Sequence, residues 1–235
     1  MATTQHSSTL TQVTRLFFFN TYLVREDDGL TLIDTGMPGS APGIMAAAQA
    51  LDAPVRRIVL THAHADHVGS LDALAALLPD VEVLVSARDA RIMAGDKSLD
   101  AEEAQMPLKG SYPTVQTKPT RLLTDGDTVG SLVALATPGH TPGHLAFFDP
   151  RDGSLIAGDA YTTQAGLSTA GTLRILFPFP AMATWHKARG IESAEKLAAL
   201  KPARLVTGHG SVLNTPDAAM RGAIQEAQQK VHHAR

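Results

Sequence analysis

Hydrophobic positions along the 235-residue chain follow two rhythms in turn. The stretch 16–24 reads as a strand, and the run Phe17-Phe18-Phe19 predicts that it is buried. Asp27-Asp28-Gly29 is a turn signal, so 30–34 forms the second arm of a hairpin. An Ala-rich segment at 44–51 predicts a helix, and β-branched 55–61 predicts another strand. Leu71, Leu74, Ala75 and Leu78 then fall at helical spacing until Pro79 stops them. A strand over 81–85 and a short helix over 87–93 follow.

The segment 95–119 is polar and punctuated by Pro107, Pro113 and Pro119, which predicts a surface excursion. From Arg121 the pattern turns to strands: 121–123, 132–137, 145–148 and 155–157. A second long connection spans 161–180. One helix is expected over 181–200, with Met182, Trp185, Ala188, Ile191 and Leu197 near one face. A strand follows at 204–207. Thr215, Pro216 and Asp217 supply an N-cap, a first-turn proline and a first-turn acid for a terminal helix. Alternating strands and helices with a β-rich middle predict an α/β (α+β) chain of two mixed sheets with helices outside. No linker or repeat divides it, so residues 1–235 are expected to form one domain, with 1–14 as a flexible lead-in.

Composition narrows the functional classes. At 44% hydrophobic, 18% charged and net charge −3, the chain has no basic footprint for nucleic acid or an anionic membrane. It has no cysteine, so any metal site must use histidine and carboxylate ligands. The polar N-terminus carries no basic-then-apolar signal, and no apolar run approaches a membrane span. The expectation is a cytoplasmic protein acting on a small-molecule substrate, with no nucleic-acid or membrane partner and with a homodimer open to it.

The sharpest chemistry lies in His62-Ala63-His64-Ala65-Asp66-His67, at the end of a buried strand. Residues two apart in an extended segment point to the same side, so His62 and His64 can converge. Asp66 and His67 follow where the chain turns into a helix and can aim at a neighbouring point. Imidazole and carboxylate together suit Zn, Mn, Fe or Co. A solvated polar loop is the duller alternative.

This string resembles the metal motif of the metallo-β-lactamase superfamily. Four further segments match in order: Leu32-Ile33-Asp34-Thr35-Gly36, Thr137-Pro138-Gly139-His140, Gly158-Asp159 and Gly208-His209-Gly210. The resemblance spans about 17–213. It implies a four-layer αβ/βα sandwich holding two divalent ions, zinc first, with Mn, Fe or Co as alternatives. It places His62, His64 and His140 on one ion, Asp66, His67 and His209 on the other, and Asp159 between them. Asp34 would be a partner orienting a ligand or a plain turn residue. His144 is not expected to be a ligand, and His6, His186, His232 and His233 are expected at the surface.

The function implied is hydrolysis of a carboxylic ester, lactone or related acyl bond by hydroxide bridging two metals. Asp66 would also orient the nucleophile. Tyr161, two residues past Asp159, is a candidate donor to the substrate oxygen, or else its ring only packs. The bridging acid and the missing cysteines point toward lactonase-like or glyoxalase II-like hydrolases. Thioesterase or β-lactamase activity is the alternative on the same residues, and a mononuclear iron persulfide dioxygenase is the alternative of another class. The apolar stretch Leu173, Ile175, Leu176, Phe177, Phe179, Met182 and Trp185 lines either a pocket for an acyl chain or ordinary core. Arg174 within it meets a substrate carboxylate or solvent.

Overall fold

Strand pairing near the N-terminus begins earlier than the hydrophobic pattern suggested. In the computed structural model, which describes residues 1–233, the first two strands are β1 (Ala2–Gln5) and β2 (Leu10–Arg15). The expected flexible lead-in over 1–14 is therefore corrected. Leu10, Thr11, Gln12 and Val13 are buried, and Gln12 donates from Nε2 to Asn20 Oδ1 at 2.7 Å. Polar side chains hide this strand from a hydrophobicity reading. The chain falls into two compact units: 1–96 with 112–123, and 97–111 with 124–235.

The first unit holds a seven-stranded sheet. After β1 and β2 come β3 (Phe19–Glu26), β4 (Gly29–Ile33), β5 (Val55–Val59), β6 (Glu82–Ser86) and β7 (Arg121–Leu123), neighbouring in chain order. Pairing is antiparallel as far as β4 and parallel from β4 to β7. Parallel neighbours need crossovers, and helices α1 (Ala41–Ala50), α2 (Ala65–Val68), α3 (Leu71–Leu77) and α4 (Ala87–Met93) lie within those connections. The expected strand 16–24 is interrupted. Leu16 and Phe17 take positive φ in a turn that pairs Arg15 with Phe19, and Phe17 is 96% exposed. The run of three phenylalanines marks a turn tip, not a buried strand.

The second unit has a six-stranded sheet formed by β8 (Thr128–Val129), β9 (Leu132–Ala136), β10 (Leu145–Asp149), β11 (Ser154–Ile156), β14 (Arg204–Val206) and β15 (Leu213–Asn214). The ribbon β12 (Tyr161–Thr162) and β13 (Ser168–Thr169) precedes α5 (Phe179–Ala183) and α6 (Lys187–Ala199). Then come β14 (Arg204–Val206), β15 (Leu213–Asn214) and α7 (Asp217–His233). Only β11 and β14 pair in parallel in this sheet. Ala194 and Leu197 of α6 and Met220 and Ile224 of α7 pack with Leu155 and Leu205 of the strands. The single helix expected over 181–200 is two helices, broken at Thr184–Trp185–His186. Among the described residues no helix is long and apolar enough to cross a membrane.

Candidate metal centre

In the first unit the candidate residues gather at the carboxyl ends of neighbouring strands, where open α/β sheets carry their ligands. Asp34 follows β4, His62 to His67 follow β5, and Asp89 lies in α4 just past β6. His62, His64 and His67 are buried, and Asp66 is half-buried. His62 Nε2 lies 3.1 Å from His64 Nδ1, so two ring nitrogens converge as the alternation in an extended segment requires. The backbone between them is held from below: Ala63 N donates to Asp89 Oδ2 at 2.9 Å.

The tautomers follow from the outer partners. Thr61 donates its hydroxyl to Asp34 Oδ2 at 2.7 Å, which leaves its oxygen to accept from His62 Nδ1 at 3.0 Å. Asp34 Oδ2 also accepts from His67 Nδ1 at 2.7 Å, and Oδ1 accepts from Thr61 N at 2.8 Å. Both rings thus carry their hydrogen on Nδ1 and present a lone pair at Nε2, the form a metal takes. Asp34 does this from a left-handed backbone, φ 60°, uncommon for a residue with a side chain. Of its two expected roles, the orienting one is what its contacts perform. The Tyr112 ring packs 4.5 Å from that of His64, and burial pushes its phenol upward, so the hydroxyl stays protonated.

In the second unit His140 Nε2 and His209 Nε2 approach the same atom, Asp159 Oδ2, at 3.4 and 3.1 Å. All three side chains are buried. Thr184 donates to Pro180 O at 2.8 Å, so its oxygen accepts from His140 Nδ1 at 3.0 Å, and the His140 Nε2 lone pair is left for an ion. This contact explains the broken helix. Trp185 N and His186 N donate to the carbonyls of His140 and Gly139, so 184–186 serve as the seat of the His140 loop. Gly139 touches α6 so closely that a Cβ there would stand 2.3 Å from Gly190 N. Gly210 has φ +102°, and a Cβ would meet Gln164 N at 2.4 Å, which keeps the His209 loop against the β12 end.

His144 is spent on positioning. Its Nε2 accepts from Asp159 N at 3.1 Å and its Nδ1 faces Thr137 Oγ1 at 2.8 Å. The donor set fits a divalent metal: imidazole and carboxylate only, with outer hydrogen bonds fixing the tautomers of His62, His67 and His140. Each of the seven residues belongs to the His and Asp side chains able to hold an ion.

Tyr161 requires correction. Its ring is fully buried in the core of the second unit, and its hydroxyl donates to Ala194 O at 2.9 Å. The donor is committed to α6, so the expected role toward a substrate oxygen falls away. Arg174 is half-buried and pairs with Glu226 through both terminal nitrogens. The apolar stretch divides: Phe177 and Trp185 are buried, while Leu173, Ile175, Leu176, Phe179 and Met182 are exposed. His6 is half-buried against Gln12, His186 caps α6 by accepting from Arg189 N, and His232 is exposed. The side chain of His233 lies outside the described residues. Sequence reading missed Thr61, Asp89 and Thr184. Thr61 adjoins the motif, but nothing in the sequence links Thr184 to His140.

Mixed sheets, helices between parallel strands and buried His and Asp donors at loop ends define an α/β metal-dependent hydrolase. The metallo-beta-lactamase superfamily model matches residues 15–209, and the chain belongs to that superfamily. It is 50% identical over 220 residues to YobT of Bacillus subtilis (strain 168), covering 93% of this chain and 94% of that one. It is 31% identical over 217 residues to the probable metallo-hydrolase YflN of the same organism, covering 85% and 81%. Among solved structures it resembles TTHA1623 in a di-iron-bound form, with TM-score 0.64, 28% identity and coverage of 88% and 94%.

Proposed function

We propose that this chain is a binuclear metal-dependent hydrolase that cleaves a carboxylic ester, a lactone or a related acyl bond. The observation that carries the reading is the carboxylate of Asp159, whose single oxygen Oδ2 meets the Nε2 atoms of both His140 and His209. A carboxylate so placed suits a bridge. His62, His64 and His140 would hold one ion, and Asp66, His67 and His209 the other. Zinc is the ion we assign, and the di-iron form of TTHA1623 makes iron the first alternative.

Two divalent ions, when bound, would supply Lewis acidity and bring the ionisation of water down to roughly neutral pH. The residues of the chain do the rest. Asp34, Thr61 and Thr184 fix which nitrogen of His67, His62 and His140 faces inward. His144 holds the backbone of Asp159, and Asp66, the most accessible of the seven, orients the attacking water. An apolar segment adjoins the ligands of the second unit: the Phe177 ring lies 5.2 Å from that of His209, and its neighbours Ile175 and Leu176 are 90% and 87% exposed. That supports an acyl substrate with an apolar part.

Asp159→Ala tests the reading. It is expected to lower the metal content of the purified protein and to abolish turnover of activated esters and lactones. Full metal content with unchanged turnover would overturn it.

A further inference from the structure

Away from every proposed ligand, the second unit has a groove of about 320 Å³ between the end of β13, α6 and the last turns of α7. That volume is at the small-ligand end of binding cavities. Its floor is apolar, formed by Leu173, Ile191, Ala227 and Val231, and its rim carries Lys187 and Lys230. The two ammonium groups differ. Lys230 already donates to Glu226 at 2.7 Å, and Glu226 is further engaged by Arg174. Lys187 has no carboxylate partner among the described residues. Its stem lies over Gly171, where an added Cβ would meet its Cγ at 2.6 Å. The groove's own lining thus carries two ammonium groups and no carboxylate, which places positive charge beside an apolar floor.

We propose that this groove binds an apolar-tailed monoanion, a medium-chain carboxylate, with its tail on Leu173, Ile191, Ala227 and Val231 and its head at Lys187 and Lys230. One free ammonium and one shared ammonium match a single negative charge better than a dianion. The four-residue floor demands a tail, because a short anion would leave it wet. The proposal concerns binding alone and stands whether or not the chain cleaves acyl bonds.

The test is an amide chemical-shift titration of the zinc-loaded protein with octanoate, octan-1-ol and butyrate. Octanoate is expected to shift amides of 170–173, 187–191 and 227–231 at millimolar concentration. Butyrate and octan-1-ol are expected to bind at least about tenfold more weakly. Affinity should rise from hexanoate to octanoate by up to about fourfold per added methylene. Lys187→Glu places an acid in the first turn of α6, which that helix end tolerates, and is expected to weaken octanoate at least about tenfold. Leu173→Ser, at an exposed position, is expected to weaken octanoate and octan-1-ol alike. Equal binding of octanoate and octan-1-ol would overturn the proposal, as would binding indifferent to Lys187→Glu. Shifts confined to the metal ligands and lost on chelation, or no shifts at all, would overturn it as well.

Discussion

The carboxylate of Asp34 accepts the Nδ1 hydrogen of His67 at 2.7 Å, while the same oxygen takes the hydroxyl hydrogen of Thr61. One carboxylate thereby sets two rings, one directly and one through Thr61. Asp34→Asn keeps the shape but replaces an acceptor with an amide. It is expected to cost about 10–100-fold in metal affinity, because outer partners hold both the tautomer and the ring direction. Competition with a chelator measures this; unchanged affinity would remove Asp34 from the account.

Tyr161 separates stability from catalysis. Its hydroxyl serves Ala194 O inside the core, so Tyr161→Phe removes the side-chain donor to that helical carbonyl. The expected loss is about 1–2 kcal/mol of unfolding free energy, read by urea denaturation. Hydrolysis of a model ester is expected to stay within about twofold, well under the 1.4 kcal/mol that a tenfold change represents. A large fall in kcat with unchanged stability would restore Tyr161 to the chemistry.

The legible part of this molecule was the part whose chemistry sits close together in sequence. The string from His62 to His67 carries its own geometry, because strand alternation aims His62 and His64 together. His140, Asp159 and His209 were legible only as matches to a known pattern. Thr184 was not legible at all, since it meets His140 across 44 positions through a break in what reads as one amphipathic helix. The same limit hid β2, whose Thr11 and Gln12 are polar yet buried, and misread Phe17, whose ring is apolar yet exposed. Burial is a property of packing, and hydrophobicity only correlates with it.

Glu226 gives a pH signature unrelated to metal. Hydrogen bonds first from Arg174 and then from Lys230 hold its carboxyl down at about 2, from an ordinary 4.5. A depressed acid stabilises the folded state fully above its unfolded pKa and loses that contribution as pH falls toward the folded value. The window is therefore pH 4.5 down to about 2. The pair is partly solvated, so screening reduces the contribution to on the order of 1 kcal/mol. Glu226→Gln is expected to lower Tm by about 2–4 °C at neutral pH, with the gap closing as pH falls through that window. A gap independent of pH would contradict the ionic origin.

The exposed side chains of Ile175 and Leu176 form a turn tip closed by Phe177 N donating to Arg174 O at 3.0 Å. Replacing both with serine removes apolar surface without opening a core cavity. Tm is expected to stay put, whereas kcat/KM for esters with long apolar tails is expected to fall about tenfold relative to acetyl esters. Equal effects on both ester classes would show that this segment does not meet the substrate tail.

The central claim is a two-metal hydrolase, and metal stoichiometry measured on the same sample as acyl turnover tests it most directly. Purified protein would be analysed for metal per chain and assayed on a panel of esters, lactones and thioesters before and after chelation. The account predicts two divalent ions per chain, hydrolysis of an ester or lactone, loss of turnover on chelation and recovery on adding zinc. One redox-active iron per chain with oxygen consumption, or two ions per chain with no hydrolysis anywhere in the panel, would contradict it.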